Sequence, residues 1–199
     1  MLKPIVAAVS LSVVLAAPAL AQVVIDYRDP AALEFTEPEQ WSDIAATIGD
    51  GVVILGEVSG AFSEAGVEQV AYVVSDDVPT AADPFPELNQ RIVTFEDGEL
   101  AESWSLQDLA FARPVTAVDV DGDGVYEVVL EGSFFNMGTL GMGLSVVKLA
   151  DGVAEIIQDL PDVYIDSCGS GVGEEAITAS VVSVSDGQLV AEADTTECP

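Results

Sequence analysis

Ala117-Val118-Asp119-Val120-Asp121-Gly122-Asp123-Gly124-Val125-Tyr126-Glu127-Val128-Val129 sets an acidic loop between two β-forming runs. Carboxylates stand at positions 1, 3, 5 and 9 of the stretch Asp119 to Glu127, and Gly122 and Gly124 let the backbone curl round a common centre. A hard cation takes six to eight oxygens at roughly 2.3 to 2.6 Å. Side chains at those four positions and the Val125 carbonyl supply most of such a shell. The spacing therefore reads as a Ca²⁺ loop with Asp119, Asp121, Asp123, Val125 and Glu127 as ligands. An EF-hand is the competing arrangement, but it needs Glu at position 12 and helices on both sides. Position 12 is Leu130, and the flanks, Pro114 to Val118 and Tyr126 to Leu130, are rich in β-branched residues. The bland alternative is an acidic hairpin turn, in which four carboxylates would repel one another without a cation.

Outward from the loop, short β runs alternate with turn signals. The expected strands are Val52 to Leu55, Val67 to Val74, Arg91 to Phe95, Leu100 to Trp104, Val115 to Val118, Tyr126 to Leu130, Leu144 to Leu149, Ala154 to Gln158, Thr178 to Val184 and Gln188 to Ala193, preceded by an extended piece at Val23 to Tyr27. Asp97-Gly98, Asp151-Gly152 and Asp186-Gly187 predict type I′ hairpin turns. Thr36-Glu37-Pro38-Glu39 matches a capping box and Gly49 a stop, so Glu37 to Ile48 predicts a helix, with Trp41, Ile44 and Ile48 on one face. A second short helix is expected at Leu106 to Ala112.

The string Ala117 to Val129 resembles the FG-GAP or VCBS repeat, the calcium-loop blade of integrin-α-like β-propellers. The resemblance implies side-chain ligation by Asp119, Asp121 and Asp123, a backbone carbonyl from Val125, and Glu127 where the family usually has Asp. An earlier unit, Gly56 to Val74, looks like a decayed copy: aligning Gly66-Val67 with Gly124-Val125 puts Ala61, Ser63, Ala65 and Gln69 at the ligand positions, so it should bind no ion. The implied fold is all-β with a short N-terminal helix and two to three propeller-like blades, either an open partial propeller or a compact β-sandwich. Residues 1–21 are read as a signal peptide, 22–50 as an extension carrying the helix, and 51–199 as the repeat-containing β domain.

Composition narrows the function classes. Lys3, the apolar run Ile5 to Leu15 and Ala19-Leu20-Ala21 form a secretory signal pattern with cleavage before Gln22, giving a periplasmic or secreted location. All 35 acidic residues follow Ala21 and only Arg28, Arg91, Arg113 and Lys148 oppose them, so the mature formal charge is 4 − 35 = −31. Nucleic acid and anionic lipid are repelled by such a chain, and no later stretch is apolar enough to insert in a membrane after cleavage. Cys168 and Cys198 are the only cysteines, and in an exported protein they are expected as one disulfide.

Catalytic patterns are weak. The chain has no histidine, which removes Ser-His-Asp triads and ordinary zinc enzymes. Gly169 to Gly173 lacks a following Lys and is trailed by Glu174-Glu175, unsuited to phosphate. Paired carboxylates could support a carbohydrate-active hydrolase, with Trp41 and Trp104 stacking on sugar, although both fit core positions better. The stretch Phe134 to Gly143 sets Phe134, Phe135, Met137 and Met142 among three glycines, as a buried crossover or an interaction loop for a protein or glycan partner. The leading expectation is a calcium-binding, non-enzymatic binding or scaffolding module; a hydrolase and a salt-adapted acidic structural protein are the alternatives.

Overall fold

A computed structural model describes residues 22–34, 41–76, 89–106, 112–173 and 175–199. The signal-like segment, the capping box at Thr36 to Glu39 and the centre of the expected second helix, residues 107–111, lie outside these. Eleven strands carry the fold: β1 (Gln22–Asp26), β2 (Val53–Gly60), β3 (Gln69–Ser75), β4 (Gln90–Glu96), β5 (Glu99–Leu106), β6 (Arg113–Val118), β7 (Glu127–Asn136), β8 (Thr139–Ala150), β9 (Val153–Asp166), β10 (Ala176–Ser185) and β11 (Gln188–Glu197). The one described α-helix is α1 (Trp41–Ile48).

The strands join one hydrogen-bonded network, so the expected two to three separate blades are not what the strand pairing displays. Eight of them run in the order β2-β3-β4-β5-β9-β8-β7-β6, and β6 returns beside β2. The result is a nearly closed, barrel-like sheet. Antiparallel hairpins build most of it, but a short parallel pairing of Ser105 and Leu106 with Val153 and Ala154 joins β5 to β9. At the remaining seam Pro114 faces β2: a Cβ on Gly56 would stand 2.5 Å from Pro114 Cδ. Proline has no amide to donate to a ladder, so side-chain packing closes this edge. A single backbone bond, Tyr126 N–H to the Ala61 carbonyl at 2.7 Å, ties the loops at its end.

Strand alternation then sorts the core into three layers. Val58, Ala71, Val73, Ile92, Trp104, Val128 and Leu130 fill the barrel interior. On the outer face of β2 to β4, Ile54, Tyr72, Val74, Val93 and Phe95 receive Trp41, Ile44 and Ile48 of α1, the face expected from the helical spacing. Burial of each such side chain stabilises by about 1.5–3 kcal/mol. Trp41 also donates its indole N–H to Glu57 Oε2 at 2.9 Å. On the opposite outer face, Val129, Leu144, Val146 and Leu160 are covered by Tyr27, just after β1, and by Ala179, Val182 and Leu189 from β10 and β11. Within that layer the buried Glu131 accepts from Tyr27 Oη (2.7 Å) and Arg113 Nε (2.6 Å), so its charge is paired.

The three Asp-Gly turns form as expected, with φ of 51° and 83° at Asp97-Gly98 and closely similar values at the other two. Met137-Gly138 makes a fourth, at 49° and 85°. Phe134 to Gly143 is therefore a β-hairpin continuing β7 into β8, with nine registered pairs from Val128↔Val147 to Asn136↔Thr139. Cys168 and Cys198 are joined across 30 residues, tying the end of β11 to the loop after β9.

Candidate metal centre

β6 delivers the acidic loop and β7 closes it. Each turn of the loop is held by a carboxylate accepting from the backbone ahead of it. Asp119 accepts from the Gly122 and Gly124 amides (2.7 and 3.0 Å), Asp121 from Asp123 N (3.1 Å), and Asp123 from Val125 N (2.7 Å). Gly122 and Gly124 take φ of 77° and 88°, values that a side chain would strain. At Gly124 a Cβ would also stand 2.9 Å from Ala65 Cβ, so the loop lies against the one between β2 and β3.

Asp119, Asp121 and Glu127 each bring a carboxylate oxygen to within 4.8 Å of the others, three hard oxygen donors round one centre. Asp123 stands beside this trio rather than within it, and Val125 touches the loop through the hydrogen bond its backbone N–H donates to Asp123. Glu127, which stands where the resembled family usually has Asp, is the most buried of the group, with no exposed surface. Its Oε2 accepts from Val120 N at 2.9 Å, while its buried Oε1 has no hydrogen-bond partner among the described residues. Burial pushes the Glu127 carboxyl up, against the pull of the Val120 amide. The Val125 amide holds Asp123 below its ordinary value.

The neighbouring loop supplies a control. Gln69 stands 127 − 69 = 58 residues before Glu127, and Phe62 stands 58 before Val120. Phe62 N donates to Gln69 Oε1 at 3.1 Å, the same contact across the same seven-residue interval as Val120 N to Glu127 Oε2. Gln69 is also buried, but both of its amide atoms are satisfied: Oε1 accepts from Ser63 N as well, and Nε2 donates to Glu96 Oε2 at 3.3 Å. Where the ligand positions hold Ala61, Ser63 and Ala65, the buried group is a partnered amide. Where they hold three aspartates, it is a carboxylate within 4.8 Å of two other carboxylates, with one oxygen that accepts no hydrogen bond. That donor set fits a hard cation.

Sequence reasoning missed Lys148. Its Nζ lies 3.1 Å from Asp121 Oδ2, 3.3 Å from Asp123 Oδ2 and 3.6 Å from Glu127 Oε1. Hydrogen bonds to Asp121 and then Asp123 raise its proton affinity. Lys148 comes from β8, 27 residues beyond Asp121, and only the β7–β8 register brings it across from Glu127. One ammonium against four carboxylates leaves 1 − 4 = −3 formally.

The other candidates are placed as follows. Phe134, Phe135 and Met137 are 52%, 74% and 71% exposed at the β7–β8 hairpin tip, whereas Met142 is 8% exposed and belongs to the outer core. A cavity of about 500 Å³ beside the loop touches Glu102, Trp104 and Lys148. Trp104 is almost wholly buried in the barrel core and Trp41 is sealed beneath α1, so neither offers a sugar-stacking face. No helix among the described residues is long and apolar enough to cross a membrane. No family model, curated protein or solved structure matches the chain.

Proposed function

We propose that the chain is an exported calcium-binding module of FG-GAP/VCBS type, non-enzymatic, that binds or scaffolds a protein or glycan partner. Ca²⁺ is held by Asp119, Asp121 and Glu127, with Asp123 and the Val125 carbonyl completing the protein's share of the shell. The observation that carries this reading is the buried Oε1 of Glu127, which accepts no hydrogen bond and meets only the Lys148 ammonium at 3.6 Å, set against the fully hydrogen-bonded Gln69 in the adjoining loop. A buried carboxylate oxygen that accepts no hydrogen bond is costly even with an ammonium 3.6 Å away, and a bound cation removes that cost. The ion would then stiffen the seam where the two loops meet. The signal-like residues 1–21 and the disulfide support the exported setting.

Melting curves in Ca²⁺ and in NaCl of matched ionic strength test this against a merely salt-adapted acidic protein. With Kd on the order of 10⁻⁴ to 10⁻³ M, roughly 10 mM Ca²⁺ stabilises the fold by about 1.4 to 2.7 kcal/mol beyond the effect of Na⁺. Equal shifts in the two salts would support the salt-adapted reading instead.

A further inference from the structure

Each of the four basic residues after Ala21 is paired with a carboxylate, but they are not used alike. Among the described residues Arg28 meets Asp26, Arg91 meets Asp76 and Arg113 meets Glu131. Lys148 faces three, Asp121, Asp123 and Glu127, all at the proposed ion site. It is also the only lysine after the signal-like segment. An ammonium is a compact point charge on a flexible stem, closer to a free monovalent ion than a guanidinium is. Its side chain is 35% exposed and borders the cavity of about 500 Å³, so it has room to leave without disturbing β8.

We propose that Lys148 is the specificity-determining residue of the calcium site, a tethered monovalent cation that an incoming ion must displace. The proposal rests on the calcium reading above. Exchange of the ammonium for Na⁺ or K⁺ replaces one positive charge by another and gives up the advantage of the tether. Exchange for Ca²⁺ adds one charge among four carboxylates. The lysine therefore excludes monovalent ions from a strongly acidic chain and sets the Ca²⁺ concentration at which the loop loads. With Ca²⁺ bound, the freed ammonium turns into the adjoining cavity.

Calorimetric titration of the full chain and its K148M variant with Ca²⁺, in NaCl and in choline chloride of equal ionic strength, separates these effects. Choline screens charge but is too bulky to enter the loop. In choline chloride the variant binds Ca²⁺ at least about tenfold more tightly than the parent, because no resident charge has to leave. Replacing choline by Na⁺ weakens Ca²⁺ binding in the variant and leaves the parent unchanged. K148Q serves as the second variant should K148M fail to fold, with the same expectation. Equal affinities in parent and variant, or an equal Na⁺ effect in both, overturn the role of Lys148 and leave the calcium site standing. Absence of Ca²⁺ binding from parent and variant alike overturns the calcium reading and this inference with it.

Discussion

Replacing Glu127 by Gln has two opposite effects: the protein without calcium becomes more stable, and calcium binding is lost. The amide is nearly isosteric with the carboxylate, keeps an oxygen to accept from Val120 N, and turns an NH₂ toward the Asp119 and Asp121 oxygens. Gln69 already makes this arrangement in the neighbouring loop. Relief of a buried oxygen that accepts no hydrogen bond outweighs the lost 3.6 Å ion pair with Lys148 and stabilises the apo protein by about 1 kcal/mol. A site with Kd on the order of 10⁻⁴ to 10⁻³ M that loses its buried carboxylate ligand gives no heat at millimolar Ca²⁺. The pH dependence has a definite sign. Burial raises the folded-state value of Glu127 above the ordinary 4.5. Its contribution to stability is therefore complete below that ordinary value and is lost as pH rises through the raised one, where the buried group must ionise. Denaturant titrations in chelator should show the advantage of E127Q widening over that range. Equal stability of parent and variant from pH 4 to 8 would contradict the assignment.

Reduction of the disulfide, or the double change C168S/C198S, gives the largest expected loss of stability. The bridge spans 30 residues and holds the end of β11 against the loop after β9. β10 and β11 supply Ala179, Val182 and Leu189 to the cover of the outer core, so freeing their end loosens that whole layer. In the chain-entropy treatment a loop of this length contributes about 3 to 4 kcal/mol. For a chain of this size that lowers Tm by on the order of 10 °C. Thermal unfolding followed by tryptophan fluorescence, with and without reductant, measures it; an unchanged Tm would show that the hairpin holds itself without the bridge.

Local chemistry was legible in the sequence wherever one residue type determines the backbone. Asp-Gly pairs gave three of the hairpin turns because both central positions need positive φ. Met137-Gly138 escapes such reading because Met is an unusual occupant of that conformation, and of the two expectations for this stretch, buried crossover or interaction loop, the exposed tip rules out the first. The strand expected to end at Gln158 runs on to Asp166 through Pro161 and a positive φ at Asp162, since pairing with β8 and then β10 sustains it. Closure into a barrel depends on the β5–β9 contact and on the Gly56–Pro114 seam, both between residues far apart in the chain. Spacing of carboxylates pointed to Asp119, Asp121 and Glu127, which come together. It could not point to Lys148, whose place depends on strand register, and the only hint was the scarcity of basic residues.

The central claim is that carboxylates from one loop converge on a divalent ion. Isothermal titration of the full chain with Ca²⁺ at neutral pH tests it most directly. One ion per chain is expected, with Kd on the order of 10⁻⁴ to 10⁻³ M. No heat above dilution at millimolar Ca²⁺ would contradict it and leave Lys148 as the permanent partner of an acidic turn.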